Sequence, residues 1–326
     1  MACRTLLVLD EEIAATHLTR PGEEKPLNDL VKDALRDSPQ GMPLIARFLL
    51  EAVSAHGRSA PFTAVQALEV LAAYVHWGDL SIVVNSSMMQ LLRQLLTIPQ
   101  AELRTSAVQV LAAAVDKGKP AVEQVQALAA MDVVGTLSSL ALGNGADDME
   151  EADFNEAVAG LLCSAGRALL LAGDSGAVLA APQLKASCAT QLQGTLALAL
   201  KLFETAAFGN ACAVALVDFW DAVIAFWRSS AKGEGVPKRH GSGEGEGGCK
   251  GVPAGVSLGE WVERLLPVAG TRSRYPDDFD PLDLDMDEEG EALVKLRHST
   301  KGLLTAVTAV QPSVTLSLLM RMVGGT

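Results

Sequence analysis

The stretch from Ala64 to Pro120 constrains the chain most. Three apolar patterns follow one another there, each stepping by three or four residues. The first is Val65, Leu68, Leu71 and Val75. The second is Met88, Leu91, Leu92, Leu95 and Leu96, and the third is Leu103, Ala107, Val110, Leu111 and Ala114. That spacing is the period of an amphipathic helix. The breaks between patterns are short: Trp77-Gly78-Asp79, Thr97-Ile98-Pro99 and Asp116 to Pro120. Long helices with short connections must fold back on one another as antiparallel neighbours. Repeated along a chain, that unit predicts an all-α fold, an α-solenoid of HEAT or armadillo type.

The composition agrees. Hydrophobic residues make up 49% of the 326, yet aromatics only 4%. A core of Leu, Ala and Val suits closely packed helices better than a β-sandwich. The formal net charge of −13 suits a basic partner surface and disfavours tight, general nucleic-acid binding, although one face of a solenoid can be locally basic. Five scattered cysteines, at positions 3, 163, 188, 212 and 249, lack zinc-ligand spacing and point to buried thiols in a reducing compartment. Apolar runs long enough to span a bilayer are missing, and the short run Leu6 to Leu9 leads into acid rather than a cleavage site, so no membrane insertion is expected.

The rest of the chain continues the helical pattern. Helices are expected at 4–16, 27–37 and 42–56, the first beginning so near Met1 that the chain start cuts into the repeat array. The stripe of 42–56 is read as Leu44, Ile45, Phe48, Leu49 and Ala52. Further helices are expected to Ala130 and over 131–142, 149–172, 183–208, 210–228, 258–268, 289–310 and 312–322. Trp220 and Trp227, seven apart on one face, are read as core. The organisation expected is therefore HEAT-like repeats over 1–228, a Gly-rich disordered insertion over 229–257, and the same solenoid resuming over 258–326 around an acidic loop at 275–291.

Chemistry-bearing motifs are weak. Gly243, Gly245 and Gly248 match a dinucleotide fingerprint formally, but no strand precedes them. Lys238-Arg239-His240 is too short for a nucleic-acid patch. Asp283, Asp285 and Asp287 have calcium-loop spacing without the glycine and glutamate such a loop requires. The histidines form no zinc motif, and neither a nucleophile elbow nor a phosphate loop occurs. No catalytic residues, no metal and no cofactor are expected. His76 is read as a packing or turn residue and Asp79 as a cap.

One stretch carries a resemblance. Tyr74-Val75-His76-Trp77-Gly78-Asp79-Leu80-Ser81-Ile82-Val83-Val84-Asn85 resembles the exportin-T family, the tRNA exportins: a helix ending in aromatic-x-x-Trp, then Asp-Leu-Ser, an apolar run and Asn. Leu103-Arg104 and the turn Lys117-Gly118-Lys119-Pro120 follow in the family's order. Asp10-Glu11-Glu12, Lys32 to Arg36, and Arg297 and Lys301 on a late helix are similar too. Gly78 departs from the family, where a bulkier apolar residue follows Trp, and so does the Gly-rich insertion. The resemblance implies a nuclear export receptor for tRNA, cooperative with Ran-GTP, that meets nuclear pore proteins and shuttles between nucleus and cytoplasm. The chain would be a central fragment with the Ran-GTP region mostly absent. Recognition would act through phosphate and shape, with Arg104, Lys117 and Lys119 as candidate tRNA contacts. The alternative is an α-solenoid scaffold for another protein, without RNA binding.

Overall fold

The computed structural model describes residues 2–14, 27–140, 142, 149–206, 211–232, 257–272 and 288–324. All regular structure among them is helical: α1 Ala2–Ala14, α2 Leu27–Asp37, α3 Gly41–His56, α4 Pro61–Trp77, a 3-10 turn Leu80–Ile82, α5 Ser86–Leu95, α6 Ala101–Asp116, α7 Ala121–Met131 and α8 Val133–Ser138. There follow α9 Met149–Gly173, α10 Gly176–Leu179, α11 Pro182–Thr205, α12 Ala211–Lys232, α13 Leu258–Arg272, α14 Glu288–Val310 and α15 Pro312–Gly324. Most of the insertion predicted at 229–257 and of the acidic loop at 275–291 lies outside the described residues, with the glycine fingerprint, Lys238 to His240 and the Asp283–Asp287 spacing. Ser229 closes a turn of α12 instead, its Oγ donating to Phe226 O.

Two compact units divide the chain. The first comprises Met1–Gly118 with Ala130–Asp132. Its heart is α4, which packs on α6, α3 and α1. Ala64, Ala67, Leu68, Leu71 and Val75 are buried on α4, and Leu103, Ala107, Val110, Leu111 and Ala114 on α6. The small residues let the two axes approach closely. Lys117 follows α6 directly, and its side chain reaches the carbonyl end of α4. The two helices therefore run in the same direction, and α5 returns between them. Stacking of alternate helices, with the intervening one antiparallel, is the helix-pair repeat of a HEAT-like α-solenoid. Gly118 closes α6 at φ +66°, a left-handed C-terminal stop that only glycine adopts without penalty.

The second unit comprises Lys119–Ala129 and Val133–Thr326 and follows the same rule. Helix α12 packs on α9 and α14, while α11, α13 and α15 form the alternate series. Arg272, the last residue of α13, donates to Glu204 O in the last turn of α11, so these two helices also run in parallel. Trp220 and Trp227 are buried, as is Trp261, whose ring centroid lies 5.9 Å from that of Trp220. Helix α9 is long and apolar enough to cross a membrane, but 61% of its apolar window is buried inside the protein. Phe154, Val158, Leu161, Leu162 and Leu169 put it in the core.

Several boundaries differ from the sequence reading. Asp132, at φ +48°, separates α7 from a shorter α8, a conformation that Asp tolerates better than most residues. The turn expected over 173–182 holds α10, and α13 runs four residues past the expected Val268, with Pro267 inside it and exposed. Helix α3 buries Met42, Leu49 and Val53 and leaves Leu44 and Phe48 exposed. It is apolar on more than one side, so periodicity does not select the inner face.

Candidate functional site

The segment from Tyr74 to Asn85 forms a corner in which almost every polar group has a local task. Tyr74 is buried and donates its hydroxyl to Leu6 O at 3.3 Å, tying α4 to α1. Its ring meets Trp77 at a centroid distance of 4.9 Å. Asp79 caps the 3-10 turn by accepting from Ser81 N at 2.7 Å. Asn85 serves both sides of the next junction. Its Oδ1 accepts from Met88 N at 2.9 Å, capping α5, while its Nδ2 donates to Ser81 O at 2.8 Å and Ile82 O at 3.2 Å. Asn does this where Asp would not, because the amide both accepts and donates. A side chain after Trp77 would collide: a Cβ on Gly78 would lie 2.5 Å from Met42 Cε and 2.7 Å from Tyr74 O. The glycine is required by that close approach.

Lys117 completes the corner. Its Nζ donates to Val75 O at 2.7 Å, to His76 O at 3.3 Å and to Gly78 O. These carbonyls are the unsatisfied acceptors at the end of α4, where the helix dipole is also negative. Lys117 is thus engaged with backbone. His76 is exposed and enters through its carbonyl, and Asp79 is the cap the sequence suggested. Of the other two candidate contacts, Arg104 is half-buried on α6. Lys119 lies in the second unit, where its Nζ is 3.9 Å from Glu123. Arg104 and Lys117 belong to one unit and Lys119 to the other.

Two further cations repeat the role of Lys117, and the sequence alone did not reveal them. Arg93 donates to Met131 O, at the end of α7, and Arg272 to Glu204 O. Burial lowers the pKa of Arg272, opposed by the Cys212 and Glu204 charges. The shared signal is a Lys or Arg at the carboxy-terminal end of one helix, facing the carbonyl end of another.

The described thiols are poor nucleophiles. Burial pushes Cys163 and Cys212 up to about 12 and Cys188 up to about 11. Cys163 and Cys188 face backbone oxygens of Ala215 and Leu169. Cys3 shares an open cleft of about 340 Å³ with Phe48, Glu51, His56 and Gln66, and burial raises its pKa as well. Cys249 lies outside the described residues.

Comparison with known proteins places this architecture. Residues 1–111, which hold the whole corner except Lys117, match the family model described as exportin 1-like protein. The stacked helix pairs form a HEAT-like α-solenoid, and its first 111 residues are similar to exportin 1-like proteins. Parts of the chain are also similar to exportin-T proteins. The chain is 26% identical to exportin-T of Danio rerio over 199 residues, 61% of this chain and 20% of that protein. Over 96 residues it is 34% identical to exportin-T of Arabidopsis thaliana, 29% of this chain and 10% of that protein. Exportin-T of Homo sapiens is 27% identical over 171 residues, 52% and 17%. The chain thus spans a fifth or less of the relatives it matches.

Proposed function

We propose that this chain is part of a nuclear export receptor for tRNA, a binding protein rather than an enzyme. It would act with Ran-GTP and nuclear pore proteins and move between nucleus and cytoplasm. The observation that carries the reading is the Tyr74–Asn85 corner: residues that resemble the tRNA exportins form one capped junction, inside the segment that matches the exportin-like family. The mechanism is stoichiometric recognition of RNA shape and phosphate, with no bond made or broken. Arg104 and Lys119 are retained as candidate contacts. Lys117 contributes by holding the helix ends in register, and to RNA only through any donor capacity left over.

The net charge of −13 favours a second reading, a scaffold for a basic protein surface. Titration of folded tRNA and of an unstructured RNA of equal length into the chain, at several salt concentrations, separates the two. A preference for folded tRNA that weakens steeply with salt supports the receptor reading. Absence of binding at low salt leaves the scaffold.

A further inference from the structure

Helix α3 is apolar on two sides, and only one of them is used within the chain. Met42, Leu49 and Val53 are buried where the helix packs on its neighbours, α4 foremost. Leu44 and Phe48 stay 54% and 37% exposed. At about 100° per residue, Leu44, Phe48, Glu51 and Ala55 fall within an arc of about 60°, centred about 150° from the buried stripe. An apolar face turned to solvent marks a contact surface.

This outer stripe is graded in size. Its first half is bulky, with Leu44 and Phe48. Its second half is small, with Ala52 and Ala55, and opens into the cleft of about 340 Å³ walled by Ala2 and Cys3 of α1 and by Thr63 and Gln66 of α4. Arg47 and Glu51 line one edge of the stripe, both exposed and 3.8 Å apart.

Such a stripe is complementary to its own reverse. A second α3 can lie antiparallel against the first, with a two-fold axis crossing between Leu49 and Leu50. Leu44 then faces the partner's Ala55, Phe48 the partner's Ala52, and Arg47 the partner's Glu51. The three pairings agree in register to within one residue, about 1.5 Å of helix rise. The rotation also keeps each edge of the stripe on its own side. Arg47 therefore meets the edge that bears Glu51, and Phe48 the edge that bears Ala52. Every contact occurs twice, as in an isologous dimer.

We infer that the outer face of α3 is an interface between two copies of this chain. Leu44 and Phe48 of each copy enter the cleft of the other, and two reciprocal Arg47–Glu51 pairs close the edge. A surface shaped for an unrelated partner has no reason to match its own reverse in bulk, cavity and charge at one register. The inference is independent of the tRNA reading.

The test is sedimentation equilibrium of the 326-residue chain over a concentration series. The parent should fit a monomer–dimer equilibrium. Leu44→Ser/Phe48→Ser should raise the dimer dissociation constant at least about tenfold. Both side chains are exposed, so thermal melts of that variant and the parent, taken at a concentration where both are monomeric, should agree. Arg47→Glu and Glu51→Arg, each alone, set like charges against each other twice and should weaken the dimer about fivefold. An equimolar mixture of these two variants restores both pairs and should dimerise about as well as the parent. A chain that stays monomeric throughout overturns the inference, as does assembly beyond the dimer. A dimer indifferent to Leu44→Ser/Phe48→Ser uses another face and overturns it. So does a mixture that associates no better than its two components.

Discussion

Lys117→Met isolates the residue that joins the corner to the next helix pair. Methionine keeps most of the aliphatic stem and removes the ammonium, leaving the carbonyls of Val75, His76 and Gly78 without their donor. A hydrogen bond with one charged partner contributes about 1.5–3 kcal/mol, and a cation at a helix C-terminus about 0.5 kcal/mol more. The three bonds share one ammonium and are only partly shielded, so water replaces some of them. The expected loss is therefore about 2–3 kcal/mol rather than three full bonds. For a chain of this size that lowers the melting temperature by about 5 °C, if the two units melt together. Lys119→Met, two residues on, breaks a 3.9 Å ion pair between a half-buried lysine and an exposed glutamate and should lose less than about 0.5 kcal/mol. Thermal melts give the global difference. Amide hydrogen exchange followed by mass spectrometry should show faster exchange over 74–85 in Lys117→Met alone. Equal stability of the two variants, or unchanged exchange in that segment, would refute the clamp.

Other packing predictions are as specific. Gly78→Ala should cost about 1–3 kcal/mol by overpacking. Adding Met42→Ala should recover only part of that, since Tyr74 O remains 2.7 Å from the new Cβ; urea denaturation of the single and double variants measures it. A Cβ on Gly194 would lie 2.4 Å from Val134 Cγ1, against a side chain that cannot rotate away freely. Gly194→Ala should therefore destabilise by a similar amount, and Gly194→Ala/Val134→Ala by less than the sum of its parts in a double-mutant cycle. Burial raises the pKa of Asp174, whose Oδ1 is buried without a hydrogen bond. A raised carboxyl pKa stabilises the fold below the unfolded value, and that contribution is lost as pH rises through the folded value. Asp174→Asn should thus melt higher than the parent at pH 7, with the gap closing as pH falls through the raised folded value and gone by about pH 4.

The repeat architecture was legible because α4, α5 and α6 all show apolar residues at helical spacing and the breaks between them are short, although α4 and α6 are buried on more than one side. Asp79 was legible as a cap, since a cap acts on residues two or three positions away; Asn85, which caps α5 in the same local way, was not singled out. Long-range features were not legible. The family resemblance offers Lys117 as a candidate tRNA contact, and its backbone acceptors lie about forty residues earlier. Only the parallel stacking of α4 and α6 brings them together. Helix α3 misled for a different reason: with Leu44, Ile45, Phe48, Leu49 and Val53 around its circumference, the neighbours choose the buried face. The helix expected over 258–268 already contained Pro267, and α13 runs on to Arg272, since packing of Trp261, Leu265 and Ala269 outweighs one missing N–H.

The most direct measurement is tRNA binding by this chain across a salt series, with and without Ran-GTP. The account predicts weak, salt-sensitive binding, with or without Ran-GTP. Failure to bind tRNA at low salt would contradict it and return the chain to the class of protein scaffolds.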